Sequence, residues 1–132
     1  MDTRPLSSQE RALLDLLLTR EFPGRDALVE QAKTARWGGP GCGCGCPSYL
    51  LEVDRTLPAA LVEERMVSDA HGCEPGGNPV GILLFVDDGY LREVEVYGYE
   101  DFDWTGLPVI ESVELADWVE VAPGTFRLRK DI

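Results

Sequence analysis

Three cysteines alternate with glycine in Cys42-Gly43-Cys44-Gly45-Cys46. They sit inside a ten-residue stretch, Gly38 to Pro47, that holds five glycines and two prolines. Thiolates bind soft and borderline cations, so this spacing raises a zinc or copper site. In an extended strand, residues two apart lie on one face about 7 Å from each other. That is too far for neighbouring ligands of one ion with Zn–S bonds of about 2.3 Å. Glycine lets the backbone curl, and the site requires that it does. Cys73, with His71 two residues before it, would complete four thiolates or three thiolates and an imidazole. Zinc sites ordinarily place about two to four residues between paired cysteines, whereas this chain places one. The short gap also suits Cu(I). The plainer alternative is a tight turn in which small thiols pack as hydrophobes.

The same residues allow nucleophilic chemistry. Cys46 or Cys73 would attack, His71 would act as base, and Asp69 would orient the imidazole. His71 is the chain's one histidine. A strongly acidic field opposes this use, because nearby carboxylates raise a thiol's pKa. Glu93 and Glu95 are a second catalytic or cation-binding candidate if their strand face lines a cavity. If that face meets solvent, they are the ordinary polar alternation of an antiparallel strand.

A third constellation is Tyr99-Glu100-Asp101-Phe102-Asp103-Trp104. Aromatic rings supply contact area while carboxylates steer a basic partner. Between Asp87 and Val121 there are eleven acidic residues and one base, Arg92. The alternative is a solvated loop whose rings turn into the core.

These residues must be carried by some arrangement of elements. Ser7 and Glu10 have capping-box spacing, and Leu13, Leu14, Leu17 and Leu18 recur at helical spacing after them. Phe22-Pro23-Gly24 closes this helix. Arg25 to Ala35 reads as a second helix, and the two are expected to form a helical hairpin over residues 1–37. The Gly/Cys loop occupies 38–47, and sheet structure fills 48–132 in a single domain.

Strands are expected at Ser48–Val53, Leu61–Ser68 and Thr125–Arg129, with a loop from Asp69 to Pro79 that carries His71 and Cys73. Asp88-Gly89 marks a type I′ turn between two strands. A regular two-residue turn opposes Phe85 to Arg92 and Leu83 to Val94. One face then holds Leu83, Phe85, Val94 and Val96, and the other Ile82, Leu84, Glu93 and Glu95. The expected class is α+β: an N-terminal helical hairpin packed on an antiparallel sheet of about four to six strands.

The chain has 132 residues, a net charge of −12 and ordinary hydrophobic content. Such a field repels nucleic acid and anionic membranes and favours basic proteins, cationic ligands or metal ions. The apolar run at residues 12–18 is short and interrupted by Asp15, so neither a leader nor a membrane span is expected. A cytoplasmic setting follows, in which thiols stay reduced.

Several stretches carry a resemblance: Phe22-Pro23-Gly24-Arg25-Asp26-Ala27-Leu28, Cys44-Gly45-Cys46-Pro47-Ser48, Asp88-Gly89-Tyr90-Leu91 and Glu95-Val96-Tyr97. Together they resemble a family of small uncharacterised bacterial proteins over most of residues 6 to 100. The resemblance implies a compact cytosolic domain and brings no activity or site residue. The expectation from sequence is therefore a small acidic binding module, immunity-like or regulatory, for a basic partner and without a cofactor. A zinc or copper protein is the alternative, and an enzyme using a Cys–His pair or the Glu93/Glu95 pair comes third.

Overall fold

A computed structural model describes residues 3–116 and 118–128. It is α+β. Helix α1 spans Ser8–Leu17 and helix α2 spans Arg25–Ala32. The strands are β1 (Arg4–Pro5), β2 (Arg36–Pro40), β3 (Tyr49–Glu52), β4 (Met66–Cys73), β5 (Pro79–Asp87), β6 (Tyr90–Gly98), β7 (Glu114–Leu115), β8 (Trp118–Ala122) and β9 (Thr125–Leu128). Among the described residues, seven strands form one antiparallel sheet in the order β1-β2-β3-β6-β5-β4-β7, and β8 pairs with β9 separately. Arg129, expected to end the last strand, lies outside the described residues.

The capping box forms as its spacing predicts. Ser7 Oγ accepts from the Glu10 amide at 3.1 Å, and Glu10 Oε1 accepts from the Ser7 amide at 2.8 Å. Arg4 then donates twice to the Glu10 carboxylate, at 2.7 and 2.8 Å. Leu13, Leu14 and Leu17 are fully buried, each contributing about 1.5–3 kcal/mol of transfer free energy.

Helix α2 ends at Ala32, before the expected Ala35. The Arg11 guanidinium donates to the carbonyls of Ala32 and Ala35, which satisfies this helix end. The chain then enters β2 at Arg36. The boundary expected at residue 37 is thus wrong: Gly38, Gly39 and Pro40 belong to a strand, with an irregular register between Trp37 and Pro40. Glycines inside a strand mark such irregularities, and they read from sequence as a loop.

Two further corrections move candidate residues. Strand β4 continues to Cys73, so Asp69, His71 and Cys73 lie on a strand instead of the expected loop. Its inward residues are Ser68, Ala70 and Gly72, too small to give an apolar alternation. The Asp88-Gly89 turn has φ of +52° and +84°, as a type I′ turn requires. Past it, however, the register slips by one. Val86 opposes Leu91, but Phe85 opposes Glu93 and Leu84 opposes Val94. Arg92 is the extra residue of a β-bulge.

The Val86 amide bonds to the Arg65 carbonyl at 2.7 Å, and the Leu91 amide bonds to the buried Gln31 side chain at 3.0 Å. Val86 and Leu91 form the non-hydrogen-bonded pair of the hairpin, so both amides point away from the β5–β6 ladder, Val86 toward β4 and Leu91 toward α2. A one-residue offset exchanges every side chain between faces. Val80, Ile82, Leu84, Val94 and Val96 consequently share the buried face with the helices. Glu93 and Glu95 share the opposite, half-buried face with Leu83 and Phe85.

Candidate functional site

The Gly/Cys segment folds as a closed loop between β2 and β3. Pro40 opposes Tyr49, and the Gly41 amide bonds to the Ser48 carbonyl at 2.9 Å. Within this closure the loop curls, with Gly45 at φ +89°. The sulfurs of Cys42, Cys44 and Cys46 all lie within 4.8 Å of one another. Cys42 and Cys44 are joined as a disulfide, and the free Cys46 Sγ lies 2.8 Å from Cys42 Sγ. The disulfide departs from the expectation that every cysteine is a free thiol. Adjacent thiols on a curled, exposed loop meet without any movement of the scaffold.

Ser48 anchors the loop to the sheet. It is buried, and its hydroxyl accepts from the Val96 amide at 2.7 Å and donates to the Val96 carbonyl at 3.1 Å. Those bonds extend the β3–β6 ladder beyond the Tyr49–Val94 pair. Cys46 Sγ lies 3.3 Å from the same hydroxyl.

The loop borders a cleft of about 350 Å³ on the sheet face turned away from the helices. Glu93, Glu95 and Tyr97, successive outward residues of β6, line it. Phe102 and Trp104 line it too, their ring centroids 4.5 Å apart, together with the exposed Glu100 and Asp101. Among the described residues, four carboxylates and no basic side chain line this cleft. Glu93 reaches beneath the loop, where a Cβ on Gly41 would come within 2.5 Å of its Oε2. Burial, reinforced by the Glu95 charge, raises the Glu93 carboxyl above its ordinary value.

Tyr97 lies across Gly81, whose missing side chain makes room for the ring, and meets Tyr99 edge-on at 5.5 Å. Burial, with hydrogen bonding to Tyr99, pushes its phenol up to about 12.

The expected aromatic segment divides. Phe102 and Trp104 pack against the core while lining the cleft, and Tyr99 stays 59% exposed. Glu74 holds the far end of this segment. It is buried, and its carboxylate accepts from Thr105 Oγ1 at 2.6 Å, the Asn78 amide at 2.9 Å and Asn78 Nδ2 at 2.8 Å. These bonds, the Thr105 one foremost, hold its carboxyl down to about 2.

His71 and Cys73 do not join the cysteine group. Strands β5 and β6 separate β4 from β3, a distance of about 14 Å at the usual strand spacing. His71 Nε2 faces Glu114 at 3.5 Å, and Asp69 accepts from Trp118 Nε1 at 3.1 Å. Residues 69, 71 and 73 alternate along one extended face, about 7 Å apart in succession. Asp69 therefore does not orient His71, and His71 does not reach Cys46. Of the five expected ligands, the three loop cysteines come together among the described residues, and His71 and Cys73 lie apart from them.

Gly41 and Ser48 shape the site but were not singled out by sequence. A glycine or serine beside a strand end carries no chemical signature. Comparison with protein-family models, with curated proteins and with solved structures returned no match, so the reading of this site rests on its own geometry.

Proposed function

We propose that this protein is a metal-binding module in which Cys42, Cys44 and Cys46 hold a thiophilic cation at the rim of an acidic cleft. The observation that supports this reading is the grouping of three sulfurs within 4.8 Å of one another. Zinc and Cu(I) both take thiolate ligands, and an ion binding here displaces the thiol protons. The ion needs all three sulfurs, so binding belongs to the reduced chain and excludes the Cys42–Cys44 bond. The cleft's carboxylates raise the local concentration of any cation.

The reading as a module for a basic protein stands second. It is supported by the net charge of −12 and by the exposed Tyr99, Glu100, Asp101 and Asp103 beside the cleft.

The test is metal content. Full-length protein purified under reducing conditions without chelator is expected to carry close to one equivalent of zinc or copper, and the C42S/C44S/C46S variant none. Less than about a tenth of an equivalent in the wild type overturns the reading, because structural thiolate sites bind tightly.

A further inference from the structure

We propose that the cysteine loop is a thiol–disulfide exchange site whose substrate is a low-molecular-weight disulfide of the glutathione class, and that the exchange releases the bound cation. The proposal rests on the cysteine reading above and adds the reaction that empties the site.

Three observations carry it. The first is that the same sulfurs serve two incompatible states. Three are grouped as for one ion, yet two of them, Cys42 and Cys44, are joined to each other. A sulfur in a disulfide has no thiolate charge to give a metal, so one bond removes two of the three ligands.

The second is the remaining thiol. Cys46 Sγ lies 2.8 Å from the Cys42 sulfur, which already carries the bond to Cys44. Exchange proceeds by attack of a thiolate on a disulfide sulfur, and here the attacking group touches its target. Cys46 rests 3.3 Å from the Ser48 hydroxyl, which two bonds to Val96 fix in place.

The third is access. Cys42 and Cys44 are exposed, whereas Cys46 is half-buried. A Cβ added at Gly43 or Gly45 would meet nothing within 4 Å, so the tip of the loop stands clear of the sheet. A small disulfide therefore reaches Cys44 from solvent. The bonds that close and anchor the loop, Gly41 to Ser48 and Ser48 to Val96, flank the three sulfurs and need not break.

The steps balance without a further reactant. The Cys44 thiolate attacks one sulfur of glutathione disulfide, whose S–S bond breaks, and one glutathione thiolate leaves. The Cys42 thiolate then attacks the Cys44 sulfur and expels the second glutathione. Two electrons pass from the loop to glutathione disulfide, and the two departing thiolates take protons from water. The ion is left with Cys46 as its one loop ligand and dissociates. The Cys46 thiolate can next attack Cys42 and release Cys44, which moves the bond to Cys42–Cys46 with no net oxidation. Reduced glutathione reverses the sequence.

The experiment mixes reduced, zinc-loaded full-length protein with glutathione disulfide. A chromophoric chelator follows released zinc, and intact-mass spectrometry after alkylation counts thiols. About one equivalent of zinc is expected for each disulfide closed, with no glutathione retained and binding restored by reduced glutathione. The metal-free C44S/C73S variant, with folding checked by far-UV circular dichroism, is expected to expel glutathione and close Cys42–Cys46. Zinc retained in excess glutathione disulfide, or glutathione left as a lasting adduct on wild type and on C44S/C73S, overturns the exchange proposal and leaves the cysteine reading standing. Wild type that binds no zinc overturns the cysteine reading and, with it, the release.

Discussion

Replacing Gln31 by leucine tests whether one buried amide clamps helix α2 to the hairpin that carries Glu93 and Glu95. Gln31 is fully buried. Its Nε2 donates to the Pro58 carbonyl at 3.1 Å and to the Gly89 carbonyl at 2.9 Å, and its Oε1 accepts from the Leu91 amide at 3.0 Å. The amide thus ties helix α2 to the 54–60 loop, to the hairpin turn and to the bulge. Leucine preserves most of the volume and removes all three bonds. Each hydrogen bond contributes about 1 kcal/mol net, and the buried Leu91 amide left without a partner costs about 1–3 kcal/mol. The expected loss is about 3–5 kcal/mol, from a total on the order of 5–15 kcal/mol for a domain of this kind. The melting midpoint should fall by about 10–20 °C. Urea unfolding followed by far-UV circular dichroism measures the loss directly. A loss below about 1 kcal/mol would refute the clamp.

Two further predictions concern Glu74 and strand β4. An unfolded glutamate titrates near pH 4.3, whereas Glu74 is held at about 2. Its contribution is therefore fully present above about pH 4.3 and lost as pH falls toward 2. The stability difference between wild type and Glu74→Gln, from urea midpoints, should shrink across that window, and a difference that stays constant with pH contradicts the assignment. Cys73→Ser and His71→Ala should leave metal stoichiometry at the wild-type value, because β5 and β6 stand between them and the loop. Loss of metal in either variant would return them to the ligand set.

Much of the frame was legible in the sequence because it depends on local rules. The Ser7–Glu10 cap, the leucine stripe of α1 and the Asp88-Gly89 turn each follow from a few neighbouring residues. The central position of β5 followed from its being apolar on both faces. What failed depended on distant partners. The hairpin register beyond the turn carries a bulge at Arg92 that buries Val94 and Val96 with the helices, so a regular ladder put Glu93 on the wrong face. Strand β4 was cut short because Ser68, Ala70 and Gly72 bury a face without large apolar side chains. At the site, the cysteines announced themselves by type, and their need to curl followed from spacing. The acidic cleft they border depends on a bulge on another strand and a glycine at 41, neither of which carries a chemical label.

The central claim is that the three loop cysteines form one metal site at the rim of an acidic cleft. Zinc-edge X-ray absorption on the reduced, zinc-loaded protein tests it most directly. The account predicts three sulfur scatterers at about 2.3 Å. A first shell of nitrogen and oxygen alone, or a reduced protein that retains no zinc, would contradict it.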